Sequence, residues 1–237
     1  STIVLNTIVA DALSEACDIL EKADNFDLAV HDLIKEYAYE HQRIVFNGNG
    51  YSQEWVEEAA KRGLPNIATM VEAIPHLVTD KTVNLFEKFG VFTRAELESR
   101  AEIKYETYAK AINIEARSMI DIASKHIIPA VIKYITSLAT SINQVKEACG
   151  DISVDVQTEL LKESSELLTL TRDALVKLIE KADEASAMKR GKGQAEFYLT
   201  EVVPVMNSLR APVDRLEMIV NKEMWPMPSY GDLLFEV

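Results

Sequence analysis

The chain has 237 residues, 48% hydrophobic and 27% charged, and its 25 Lys and Arg stand against 38 Asp and Glu for a net charge of -13. Such a length supports a sizeable core, burying roughly 70-75% of the unfolded-chain surface, and sparse glycine and proline suit an ordered, helix-rich protein. The acidic balance argues against nucleic acid as a partner, because most faces would repel an extended phosphate backbone.

The start, STIVLNTIVADAL, has no basic stretch leading into a long apolar one, and no run of about 18 apolar residues follows. Neither a signal peptide nor contact with a membrane is expected, and the default compartment is the cytoplasm. The chain begins without Met, directly on helical periodicity, as an excised or processed piece would. Two helical patterns occupy residues 1-42. One runs through Ile3, Thr7, Ala10, Leu13, Cys17 and Leu20, the other through Leu28, Leu33, Ile34 and Tyr37, and they predict an antiparallel pair joined at ADNFD. A short apolar run at 43-46 leads into NGNG at 47-50, where Asn and Gly are expected to supply left-handed backbone. Ser52 then caps a helix with an acidic first turn, closed by Gly63 and Pro65.

Pro65, Pro75 and Gly90 break residues 64-92 into short pieces, with one helix expected near Lys81 to Phe89. Thr93 and Glu96 form a capping box, and a helical pattern continues nearly unbroken to Cys149. Its stripe passes through Leu97, Ala101, Tyr105, Tyr108, Ile112 and Ala116 and on to Val145. Steps of four, four and three give an eleven-residue period, and Pro129 should kink or offset the helix locally. A helix at 156-185 repeats Leu161, Leu168, Leu175 and Ala182 by sevens. After the basic turn MKRGKGQ, the last long helix places Ala195, Leu199, Val202, Met206, Leu209, Val213, Leu216 and Val220 on a heptad seam, with Pro204 and Pro212 off it.

The expected fold is mainly α. It comprises a helical layer (1-92), a long antiparallel up-down-up helical bundle (93-225), and an extended C-terminal tail (226-237) set by two X-Pro steps.

Chemistry-bearing motifs are scarce. His31, His41, His76 and His126 fit neither the di-iron pattern nor HExxH, and no GxSxG, GxxxxGK[ST] or GxGxxG occurs. Cys17 and Cys149 match no disulfide or CxxC pattern and read as small buried apolar residues. The acidic groups Glu54, Glu57, Glu58 and Glu96, Glu98, Glu102 lie at helix starts, where they complement the dipole. Lys189, Arg190 and Lys192 suit a helix-ending turn, with an anion site as the minor reading.

The succession LNTIVADAL, HDLIKEYAYEHQRIVFNGNGYSQEWVEEAAKRGLPN, LFEKFGVFTRAELESRAEIKYETYAKAINIEARSMID and WPMPSYGDLLFEV resembles the C-terminal region of type III glutamine synthetases. The resemblance spans essentially the whole chain, with 137-224 the least distinctive stretch. It implies a parent enzyme that joins glutamate and ammonia using ATP and Mg in large ring assemblies, with the catalytic loops upstream of this chain. NGNGYS matches the start of a family N-G-x-G-x-H loop, but Ser52 stands where that loop has His. No catalytic, cofactor-binding or metal residue is therefore carried over to this chain.

The expected role is structural, in packing on the N-terminal catalytic part of the same protein and in homo-oligomer assembly, and the chain alone should be inactive. The alternative is an independent helical protein-interaction or regulatory module, since heptad seams alone would allow it. A further possibility is a small-molecule site near the 43-52 turn or the tail.

Overall fold

The computed structural model describes residues 2-228 and 230-235, without the side chains of Tyr230 and Phe235. The described residues are helical with no strand. The α-helices are α1 (Thr2–Leu20), α2 (Phe26–Glu40), α3 (Gln53–Lys61), α4 (Met70–Ala73), α5 (Asp80–Lys88), α6 (Arg94–Ile122), α7 (Ile128–Ala148), α8 (Asp155–Ala187), α9 (Lys192–Phe197), α10 (Val203–Ile219) and α11 (Tyr230–Phe235). The mainly α expectation holds. Two compact units divide within α6, Ser1–Lys104 and Tyr105–Val237.

In the first unit the helix ends follow from local chemistry. Asn25 caps α2 and Ser52 caps α3, each through its side-chain oxygen. A capping box unforeseen in the sequence, Thr69 with Glu72, opens α4. The one expected at Thr93 opens α6, with the Thr93 N–H donating to Glu96 Oε2 at 2.8 Å and the Glu96 N–H donating to Thr93 Oγ1 at 3.4 Å. Helices α3 and α5 both end in Schellman turns: the Leu64 N–H bonds the Ala59 carbonyl and the Val91 N–H bonds the Phe86 carbonyl. The intervening Gly63 and Gly90 have φ of +70° and +61°, a region costly for any residue with a Cβ.

The small core of this unit gathers Val83, Phe86 and Leu97, with Val4, Val78, Val91 and Phe92 packed against it. Arg100 lays its guanidinium over Phe92, 4.2 Å from the ring centroid. Lys88 Nζ clips α5 to Asp11 of α1 at 2.7 Å.

In the second unit α8 packs against both α7 and α10. Connections at 149-154 and 188-191 return the chain against the helix before. One core cluster centres on Ala116, Leu175, Leu178, Ala182, Tyr198 and Val202; another joins Ile127, Val131 and Tyr134 to Leu216 and Val220. Ion pairs run along its surface: Arg117 with Asp183 at 2.7 Å and Arg215 with Glu163 at 2.7 Å.

Several expectations need correction here. The local offset expected at Pro129 takes the form of a π-helical turn at Ala123–Ile127, while a second such turn, at Tyr198–Val202 in the last long helix, was not foreseen. A proline stands two residues beyond each, Pro129 and Pro204. A helical proline lacks its own N–H and crowds the carbonyl four residues earlier, here Lys125 and Thr200, which lie within the two turns; widening the turn relieves that crowding. Pro212 is not off the seam but buried on the core face of α10, while Leu199 is only half-buried and Tyr198 takes the core position.

The tail also differs. Residues 230-235 form helix α11 where extended chain was expected; the X-Pro restriction ends at Pro228, and Lys222 Nζ holds Asp232 at 2.6 Å. Positions 229, 236 and 237 of that stretch lie outside the described residues.

Candidate functional site

Two regions of the first unit bear on function, the NGNG turn and the surface of α1 and α2. At the turn, Asn49 Oδ1 accepts from the Tyr51 N–H at 3.0 Å, and Ser52 Oγ donates to the Asn49 carbonyl at 2.8 Å. Ser52 Oγ also accepts from the Trp55 N–H at 3.4 Å, as a helix cap does. Arg62, one turn beyond Glu58 on α3, pairs with it at 2.6 Å and donates from Nη1 to the carbonyls of Val45 at 2.7 Å and Arg43 at 3.3 Å. The guanidinium thus ties the apolar run 43-45 back to α3.

The left-handed backbone expected at NGNG does not occur: among the described residues, positive φ is confined to Gly63, Gly90 and Gly191. Gly48 is needed for space instead. A Cβ there would lie 2.6 Å from two carbons of the Phe46 ring. At Gly50 a Cβ would meet nothing within 4 Å. Every strong interaction of the loop is internal, so it is a helix-entry turn.

Helix α1 packs against α2 and α5, yet only Thr7 of its nineteen residues is buried. Val4 and Asp11 face the core side. Leu5, Ile8, Val9, Leu13 and Ile19 form a stripe at helical spacing on the opposite side, with Leu5 62% and Leu13 61% exposed. On α2, Leu33 is buried while Phe26, Leu28, Ile34 and Tyr39 are exposed, as are Ile44, Val45 and Tyr51 beyond it. The sequence pattern had placed Ile3, Leu13, Leu28 and Ile34 on a buried face; the structure buries only Thr7 and Leu33 from those two patterns. These side chains leave an apolar face of α1 open to solvent. Cys17 and Cys149 are also exposed, contrary to the expectation of buried thiols.

The remaining candidates behave as surface groups. Among the described residues, no set of three or more His, Cys, Asp or Glu side chains could hold a metal ion. Glu96 is held below the usual carboxylate range, first by the Thr93 backbone N–H and then by the Thr93 hydroxyl. Burial raises the phenols of Tyr105, Tyr108 and Tyr134. No helix among the described residues is long and apolar enough to cross a membrane.

The described residues thus form a mainly α-helical protein whose first helix leaves an apolar face exposed. The chain belongs to the glutamine synthetase C-terminal domain family, whose profile matches residues 29-146. It is 35% identical to a glutamine synthetase of Butyrivibrio fibrisolvens over 90% of this chain and 31% of that protein. A type-3 glutamine synthetase of Dictyostelium discoideum is also 35% identical, over 98% of this chain and 33% of that protein. A glutamine synthetase of Bacteroides fragilis is 31% identical over 98% of this chain and 33% of its own length. The chain thus spans about a third of the length of these curated relatives.

Proposed function

We propose that this chain is the noncatalytic helical C-terminal region of a type III glutamine synthetase, and that it serves the enzyme through packing and oligomer assembly. The observation that carries the reading is the outward stripe of α1, Leu5, Ile8, Val9, Leu13 and Ile19. Covering five half-exposed aliphatic side chains would contribute on the order of 5 kcal/mol, enough to fix a domain in place. The partner that fits is the preceding catalytic part of the same polypeptide, since the relatives are about three times as long. In that complete enzyme, glutamate and ammonia are joined at the expense of ATP with Mg, and the reacting groups belong to the upstream part.

The test uses two lengths of chain. Glutamine formation is expected from the chain extended upstream and not from residues 1-237 alone; activity in the short chain would overturn the proposal. In the extended chain, Val9→Asp with Leu13→Asp should abolish the assembled state seen by light scattering and reduce glutamine formation. If the pair leaves both unchanged while the short chain still folds, the alternative of an independent helical interaction module is favoured.

A further inference from the structure

In the second unit a polar cleft of about 170 Å³ opens between α6, the end of α8 and α9. Its floor includes Tyr198, 1% exposed, and Gln194, whose Nε2 donates to the Ala185 carbonyl at 2.9 Å. Tyr198 begins the π-helical turn, a feature that recurs at functional sites. Its hydroxyl lies 3.4 Å from Ser186 Oγ, which donates to the Ala182 carbonyl at 2.7 Å and approaches Asn113 Oδ1 at 3.3 Å. Lys110 and Arg190 complete the walls. Glu106 is the acid in the cleft, and Lys110 Nζ holds it at 3.3 Å.

Arg190 differs from its neighbours. It sits on the turn ended by Gly191, whose φ of +124° no side-chain-bearing residue would readily adopt, and among the described residues it makes no hydrogen bond or ion pair. The cleft therefore holds an uncommitted planar guanidinium beside a lysine, a serine and tyrosine hydroxyl pair, and an amide, all in a protein of net charge -13. An unengaged guanidinium fork in a polar cleft suits an oxyanion, and it matches a carboxylate in two parallel hydrogen bonds.

We propose that this cleft binds a small carboxylate, seated on Arg190 with Asn113 and the Tyr198 and Ser186 hydroxyls around it. The cleft, of about 170 Å³, has room for a small carboxylate. The inference is independent of the docking role of α1, which lies in the other unit.

Calorimetric titration of the chain with succinate, at ionic strength matched with sodium chloride, tests it. Succinate is expected to bind saturably at one site, and Arg190→Gln and Asn113→Ala should each weaken binding about tenfold or more. Both variants should keep the helical circular dichroism of the parent, because Arg190 is exposed and Asn113 only half-buried. Absence of saturable heat at millimolar succinate would overturn the site, as would binding that Arg190→Gln leaves untouched. Inorganic phosphate binding as tightly as succinate would overturn the assignment to carboxylates.

Discussion

The ring of Phe46 stacks on that of Trp55, with 4.6 Å between centroids and 29° between planes. Gly48 makes room for it, since a Cβ would meet the Phe46 ring at 2.6 Å, whereas Gly50 faces open space. Gly48→Ala should displace the ring from Trp55 and shift Trp55 emission to the red. The measurement is made in a Trp225→Phe background, which leaves one indole of the two. Gly50→Ala should do neither; equal shifts at the two positions would refute the steric explanation.

The capping box at Thr93 ties stability to acid. Glu96 is held below the ordinary glutamate value of about 4.3, chiefly by the Thr93 N–H. A carboxyl whose folded pKa is depressed contributes stability above its unfolded pKa, and that contribution disappears as pH falls through the folded one. Glu96→Gln should therefore flatten the acid limb of a urea midpoint measured between about pH 2 and pH 7. Thr93→Ala should cost about 1 kcal/mol at neutral pH. An unchanged acid limb in Glu96→Gln would count against the box.

Inside α8, Ser164 and Leu178 make an opposed pair of predictions. Both are fully buried, and Ser164 Oγ has no hydrogen-bond partner. Deleting an unsatisfied buried hydroxyl removes its desolvation penalty, so Ser164→Ala should be neutral or stabilising by up to about 1 kcal/mol. Leu178→Ala leaves a void and should cost about 2-5 kcal/mol. Denaturant titration decides both, and a loss of more than about 1 kcal/mol in Ser164→Ala would show that the hydroxyl has a partner.

The two thiols offer a direct reading of surfaces. Cys17 and Cys149 are both exposed and unbridged, so a disulfide reagent should titrate both rapidly in the native chain. In the upstream-extended enzyme, Cys17, on the helix that carries the apolar stripe, should react at least several-fold more slowly. Slow reaction of either thiol in the short chain would contradict the exposure found here.

Much of this architecture is legible from local signals, because their physics is complete within a few residues. Ser52, the Thr93–Glu96 box and the glycines at 63 and 90 each satisfy orphan backbone groups of one helix end, and all of them act as expected. The eleven-residue stripe from Leu97 to Tyr134 also lands on buried or half-buried positions throughout. Small side chains were harder to read. Ser164, Thr171, Leu178 and Ala185 share a seven-residue spacing on the buried face of α8, but two of the four are polar, so a search for apolar residues passes over them. Thr171 is satisfied locally, its Oγ1 donating to the Leu167 carbonyl at 2.8 Å.

Sequence by itself determined the helical class, several of the helix ends and the resemblance to type III glutamine synthetases, since periodicity, capping and wording are all properties of the linear chain. Tertiary structure alone decided which apolar faces are covered. The patterns of α1 and the last long helix look alike as sequence, yet Leu5 and Leu13 stand outward while Val202 and Leu209 are sealed. Burial depends on whether another element lies opposite: α10 has α8 against it, and the outward face of α1 has nothing within its own unit. The convergence of Arg190, Asn113, Ser186 and Tyr198 was hidden for the same reason, because it needs α6, α8 and α9 to be brought together in space.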